Sequence, residues 1–250
     1  VDYPDTTTIL GAAKLTGRLS SGTSVGFLAA VTDNETARVS NAGRETGIGV
    51  TPRAVWGLAR IIQEFGDQGS TVGAHMTTVH RDLEQSDPLA MLLSRNAVTV
   101  GGDTTIRFAD RSYEVRANAG LTHVDGEPEA IAGYQRRNGH LFHRVDQESI
   151  RFDGTRRSMD GAQITASVNK IAGRHWLWGY RTMIESPAFE PMDFGMLNFA
   201  GDIEGGPTLT YRETLPGRFL RAYSVSIGLN TYTYFDADLG SRHGIRSRNE

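Results

Sequence analysis

Two histidines three positions apart, His140 and His143 in "HLFHR", have types and spacing that could do chemistry. On a helix that spacing suits two metal ligands, and Asp146 and Glu148 follow closely. A zinc site, however, takes three or four converging ligands. The pattern offers two, so exposed loop histidines are the plainer account. The acidic run "DGEPE" at 125–129 could offer oxygen ligands to Ca²⁺, but it lacks the ligand order of an EF-hand. "GRETGIG" at 43–49 is glycine-rich without the Lys-Ser/Thr of a phosphate-binding loop. No G-x-S-x-G nucleophile elbow and no S-x-x-K motif is expected. Asp and Glu are scattered, and no spacing marks a pair for glycoside hydrolysis. The sequence therefore nominates no catalytic residue, no cofactor site and no metal site.

Charges that alternate with apolar residues are more informative. Lys14, Arg18, Asp103, Arg107, Glu114, Arg116, Arg181 and Arg212 each fall on the polar side of an alternating stretch. If that side encloses a lumen, these groups form cross-strand ion pairs, solvate a channel or contact a plug. Arg107 and Glu114 are expected to pair across one hairpin. An excess of Arg would bias a pore toward anionic or hydroxyl-rich solutes.

The elements that position these residues read as strands, because period-two alternation is common and helical periodicity scarce. In "ILGAAKLTGRLSSGTSVGFLAAVT" a loop at 21–23 pairs Leu19 with Val25 and Leu15 with Ala29, which keeps the apolar positions on one face. Residues 98–108 and 113–123 flank a turn at Asp110-Arg111, pairing Phe108 with Tyr113 and Asp103 with Asn118. Residues 161–169 and 174–185 form a third hairpin around 171–173, pairing Val168 with Trp176 and Gln163 with Arg181. A fourth joins 208–212 to 219–232 through Leu215-Pro216-Gly217. A fifth joins 51–65 to 70–80, with an ambiguous face: one choice puts Gln63 among apolar residues, the other Arg60.

This predicts an all-β, antiparallel up-and-down sheet of about ten strands in five hairpins. Short turns would lie at one end. Long loops near 33–49, 81–96, 125–160 and 186–206 would lie at the other, as in transmembrane β-barrels. Several strands run about 11 residues, long enough to cross a bilayer at a tilt. Phe65, Phe108, Tyr113, Trp176 and Phe219 all lie near the tight turns, where an interfacial aromatic girdle would sit.

Composition agrees. The 250 residues suit one domain spanning 1–250, or a fragment of a barrel, and the start at Val1 favours an excised piece. A net charge of -3 argues against nucleic acid as partner. The absence of Cys removes disulfides and thiolate chemistry.

Several stretches resemble one bacterial family: "ILGAAKLTGR" (Ile9–Arg18), "STVGAHMTTVHRDL" (70–83), "EAIAGYQRR" (129–137), "HLFHRVD" (140–146) and "HWLWGYRTMIESPAFEPMDFGML" (175–197). The resemblance is to an uncharacterised outer-membrane β-barrel domain that, in longer proteins, follows a carbohydrate-binding module of the family-nine type. It extends to about Tyr223 and departs at Pro191-Met192. It implies localisation in the bacterial outer membrane, with the lipid bilayer as partner and passage or surface handling of a solute, carbohydrate among the candidates. It transfers no site residue. The alternatives from the residues alone are a soluble all-β carbohydrate-binding module and a hydrolase on a β scaffold.

Overall fold

A computed structural model describes residues 1–137, 139–140, 142–143, 150–191, 193, 195–197, 199–234 and 242–249; at 41 and 242–249 the description is of backbone only. Among the described residues thirteen strands and one α-helix follow in order: β1 Ile9–Arg18, β2 Thr23–Thr32, β3 Glu35–Asn41, β4 Arg44–Thr51, β5 Ala54–Phe65, β6 Ser70–Arg81, β7 Asn96–Phe108, β8 Tyr113–Asp125, α1 Pro128–Gln135, β9 Ser158–Lys170, β10 Trp176–Glu185, β11 Asp202–Glu213, β12 Tyr223–Tyr234 and β13 Arg242–Asn249. Eleven strands form one antiparallel sheet in the order β1-β2-β5-β6-β7-β8-β9-β10-β11-β12-β13, and β3 and β4 form a separate hairpin. The ten expected strands are present, with β3, β4 and β13 in addition. Among the described residues β1 pairs in the sheet with β2 alone and β13 with β12 alone, so the sheet is open.

Tight turns and long connections alternate as the pattern requires. The β7–β8 register is the expected one, with Phe108 opposite Tyr113, Arg107 opposite Glu114 and Asp103 opposite Asn118. β1–β2 is shifted by two residues, placing Leu15 opposite Phe27. β9–β10 is shifted by four, placing Val168 opposite Tyr180 and Gln163 opposite Glu185, because the connection runs through 175. Both shifts are even, so no side chain changes face.

Because cross-strand partners share a face, these registers define two continuous faces. One carries Leu15, Phe27, Ile61, Val72, Val100, Ile106, Leu121, Ile164, Leu209 and Ile227. This apolar face is exposed: Leu15 is 65 %, Leu121 60 % and Ile164 51 % accessible. The other carries most of the strand charges, and Glu114 on it is only 3 % accessible. Arg60 lies on this polar face, which settles the ambiguity in β5. Gln63 stays on the apolar face at its turn end, donating to Ser21 O at 2.9 Å.

The packed core lies at one end of the polar face. Ala54, Val79, Ala97, Val124 and Met159, at the long-loop ends of five strands, pack against Ile131, Tyr134, Phe142 and Ala188 from the long loops. Helix α1 interrupts the expected 125–160 loop. Pro128 at its first turn and Glu129 beside it are helix-start residues.

Candidate functional site

All eight sequence-nominated charges lie on the polar face. Glu114 sits between two guanidinium groups, with Arg107 Nε at 2.9 Å and Arg116 Nε at 2.6 Å. Arg107 also donates to Gly69 O at 3.0 Å. Arg18 pairs with Glu64 at 2.7 Å. Arg181 lies 3.6 Å from Glu204, and Arg212 donates to Gly173 O at 3.1 Å. Lys14 has no ionic partner among the described residues.

Asp103 has a partner that sequence reasoning missed. Arg60, on β5, reaches across β6 to both carboxylate oxygens of Asp103 on β7, and its Nη1 lies 3.2 Å from His75 Nδ1. Gly73 makes this reach possible: a Cβ there would stand 3.0 Å from Arg60 Nη2 and from Ile61 O. Glu64, Glu185, Asp202 and Glu204 join the same face. These acids offset the expected Arg excess and bring the face near neutrality among the described side chains.

Three long loops fold into one cap over the loop end of this face, held by buried polar groups. Arg81 pairs with Asp193 and donates to Ser94 Oγ at 2.8 Å and Ser94 O at 3.1 Å. Ser94 N donates to Tyr134 Oη at 3.0 Å. Gln135 exchanges two hydrogen bonds with the Asp153 backbone, each 2.9 Å. Segment 186–190 lies directly on the sheet. Ser186 Oγ accepts from Ala162 N at 2.8 Å, Glu190 N donates to Thr122 Oγ1 at 3.0 Å, and a Cβ on Gly161 would overlap the Phe189 backbone.

The histidine motif belongs to this cap. His140 is fully buried, with Nδ1 2.8 Å from Pro187 O and Nε2 3.0 Å from Glu190 Oε2. Arg137 approaches the same carboxylate at 3.3 Å and lies 3.9 Å from the centre of the Tyr134 ring. Both ring nitrogens of His140 are thus engaged in fastening loops. His143 is exposed, and Asp146 and Glu148 lie outside the described residues. Two of the three "DGEPE" acids are also engaged: Asp125 accepts from Asn96, and Glu127 pairs with Arg157 at 3.0 Å. "GRETGIG" turns out of the β3–β4 hairpin and forms most of β4. Among the described residues no group of three His, Asp or Glu side chains has the geometry to hold a metal ion.

Contrary to the expectation that neither motif is present, two nucleophile letter patterns do occur, without their structural context. Ser24 in "GTSVG" (22–26) belongs to the β1–β2 hairpin. Ser167 and Lys170 in "SVNK" (167–170) lie on opposite faces of β9. Neither is at a strand-to-helix turn, as an elbow serine would be.

The apolar face is bounded by two rows. At the turn end Phe108 stacks on Tyr113 at 5.5 Å, and Tyr113 meets Trp178 at 6.1 Å. Trp176 and Tyr211 lie 5.0 Å apart, and Tyr211 and Tyr223 6.0 Å apart. Phe219 lies in the 214–222 loop, outside these contacts. At the loop end, His80 Nδ1 is 2.6 Å from Asn96 Oδ1, Asn96 donates to Asp125, and His123 meets Asp160 at 2.7 Å.

No curated protein and no solved structure matches the chain. One family model does, over residues 1–248, described as a domain of unknown function (DUF5916). With nearly its whole length matched, the chain belongs to the DUF5916 family.

Proposed function

We propose that the chain is the wall of a transmembrane β-barrel in the bacterial outer membrane, with its polar face lining a solute path and its long loops capping one end. The inversion of polarity carries this reading. More than twenty large apolar side chains on one sheet face are exposed, while the charged face is the more enclosed. Burying such a side chain is worth roughly 1.5–3 kcal/mol. At half exposure, twenty of them forfeit tens of kcal/mol, more than the roughly 5–15 kcal/mol by which a domain is stable. Lipid removes that cost.

The dimensions agree. Val98 to Phe108 is ten steps, about 34 Å along the strand. At a tilt of about 40° this rises about 26 Å, close to the roughly 25 Å apolar band of outer-membrane barrels. The aromatic row and the His/Asp row would then mark the two interfaces. In a bilayer β1 and β13 need strand partners, because lipid satisfies no backbone edge.

Between its ion pairs the polar face carries Thr16, Thr105, Asn118, Ser167, Thr210 and Ser226. Such hydroxyl and amide groups suit a hydroxyl-rich solute such as carbohydrate. The test is folding behaviour. In detergent the protein should refold to a form whose gel mobility shifts on boiling. A monodisperse folded protein in plain buffer would sink the reading.

A further inference from the structure

The charges on the polar face are not evenly mixed. On β5 to β8, acids and bases satisfy one another: Arg60 with Asp103, and Arg107 and Arg116 with Glu114. At the loop end of β10 and β11 they do not. Ile184 lies opposite Ile203, so the next step of that register sets Glu185 opposite Asp202, with Glu204 one position along the same face. Like charges directly opposite in a sheet repel. Among the described side chains the base beside them is Arg181, 3.6 Å from Glu204.

Glu185 is only 9 % accessible, and among the described residues no hydrogen bond or ion pair reaches its carboxylate. Its cross-strand neighbour Gln163 turns its amide to Thr165 Oγ1 at 2.7 Å instead. Asp202 Oδ1 is buried and accepts no hydrogen bond. A buried carboxylate without a partner is costly, and a cation beside Glu185 and the buried Oδ1 of Asp202 would remove that cost.

The opposite strand indicates which kind. In the β11–β12 register Asp202 faces Tyr234 and Glu204 faces Tyr232. Carboxylates beside aromatic rings are the recognition chemistry of ammonium and guanidinium groups, which combine ion pairing with attraction to a ring face. Metal ions instead need oxygens converging on one point, and these acids do not converge.

We propose that Glu185, Asp202 and Glu204, walled by Tyr232 and Tyr234, form a subsite for an organic cation, an ammonium or guanidinium group carried by the solute. This rests on the reading of the polar face as a solute path, and it names one chemical group that path selects.

The test is calorimetric titration of the detergent-refolded protein with arginine amide, choline, Ca²⁺ and glucose as separate probes. Arginine amide or choline should bind. Glu185→Gln and Asp202→Asn should each weaken that binding by at least about tenfold, and each should raise the melting temperature by relieving repulsion. Glu185→Gln preserves shape, and binding by the unaltered protein needs no variant. Binding of Ca²⁺ in place of the organic cations overturns the proposal, as does silence with every cation to about 10 mM. Boiling-sensitive gel mobility separates the two readings. A protein that shifts on boiling but binds no cation loses only the subsite. A protein that folds without detergent and still binds arginine amide loses only the membrane.

Discussion

Ile164→Arg sets lipid against water with opposite signs. Ile164 is 51 % accessible and lies on the apolar face opposite Ala119 on β8 and Ile184 on β10. Four residues toward the loop end, Asp160 belongs to the polar row, and six residues toward the turn Lys170 ends the strand. At about 3.4 Å per residue and a tilt of about 40°, Ile164 sits roughly 10 Å inside one boundary and 16 Å inside the other. An Arg at that depth costs about 2–3 kcal/mol in a bilayer. His123→Arg, in the polar row, should cost at most about 1 kcal/mol. Urea unfolding in lipid vesicles, followed by tryptophan fluorescence, should show the difference. With a slope of roughly 2–3 kcal/mol per molar, the midpoint for Ile164→Arg falls by about 1 M and that for His123→Arg by a third of that or less. If the face meets water, Arg is a surface substitution within about 0.5 kcal/mol and improves solubility. Equal midpoints for the two variants, or an Ile164→Arg protein that is more soluble and no less stable, would refute the lipid assignment.

Three further outcomes follow from local geometry. Gly161→Ala should lift segment 186–190 from the sheet at a cost of about 1–3 kcal/mol, read as faster hydrogen exchange at Phe189 and Glu190 with the strand amides still protected. Glu114→Ala leaves Arg107 and Arg116 without their shared carboxylate; because Arg116 is well solvated, the loss should be about 2 kcal/mol in a denaturant titration. Ala109, Asp110 and Arg111 all have φ between 51° and 60°, a region that costs a non-glycine residue roughly 1 kcal/mol. Asp110→Gly should therefore raise stability by up to about that amount, and a lowered midpoint would contradict this account of the turn.

The strands were legible wherever alternation was strict and the turn short. In β7–β8 the connection from 109 to 112 leaves little freedom of register, and every expected pair is found. In β9–β10 the connection runs through His175, and alternation alone cannot choose among registers that differ by two or four. The eight polar-face charges were readable because alternation assigns a face without needing the register. Arg60 was not, because β5 carries mixed residues on both sides and its partner Asp103 lies two strands away. Only the full pairing order brings them together. The loop cap was hidden for a related reason. Its contacts join residues forty or more positions apart, such as His140 with Pro187 and Ser94 with Tyr134, and no periodicity encodes those. Helix α1 did carry a local signal in Glu127-Pro128-Glu129, but at eight residues it is too short for a clear helical period.

The strand count has a directional consequence. In an antiparallel order of eleven, the first and last strands point the same way, so β1 and β13 both run from the loop end toward the turn end. Joining them directly would create one parallel seam in an otherwise antiparallel wall, with slanted and slightly weaker hydrogen bonds. An antiparallel seam requires an odd number of further strands between them. The parity of the sheet thus makes the seam distinguishable by isotope-edited infrared spectroscopy or by cross-linking, without knowledge of the cargo.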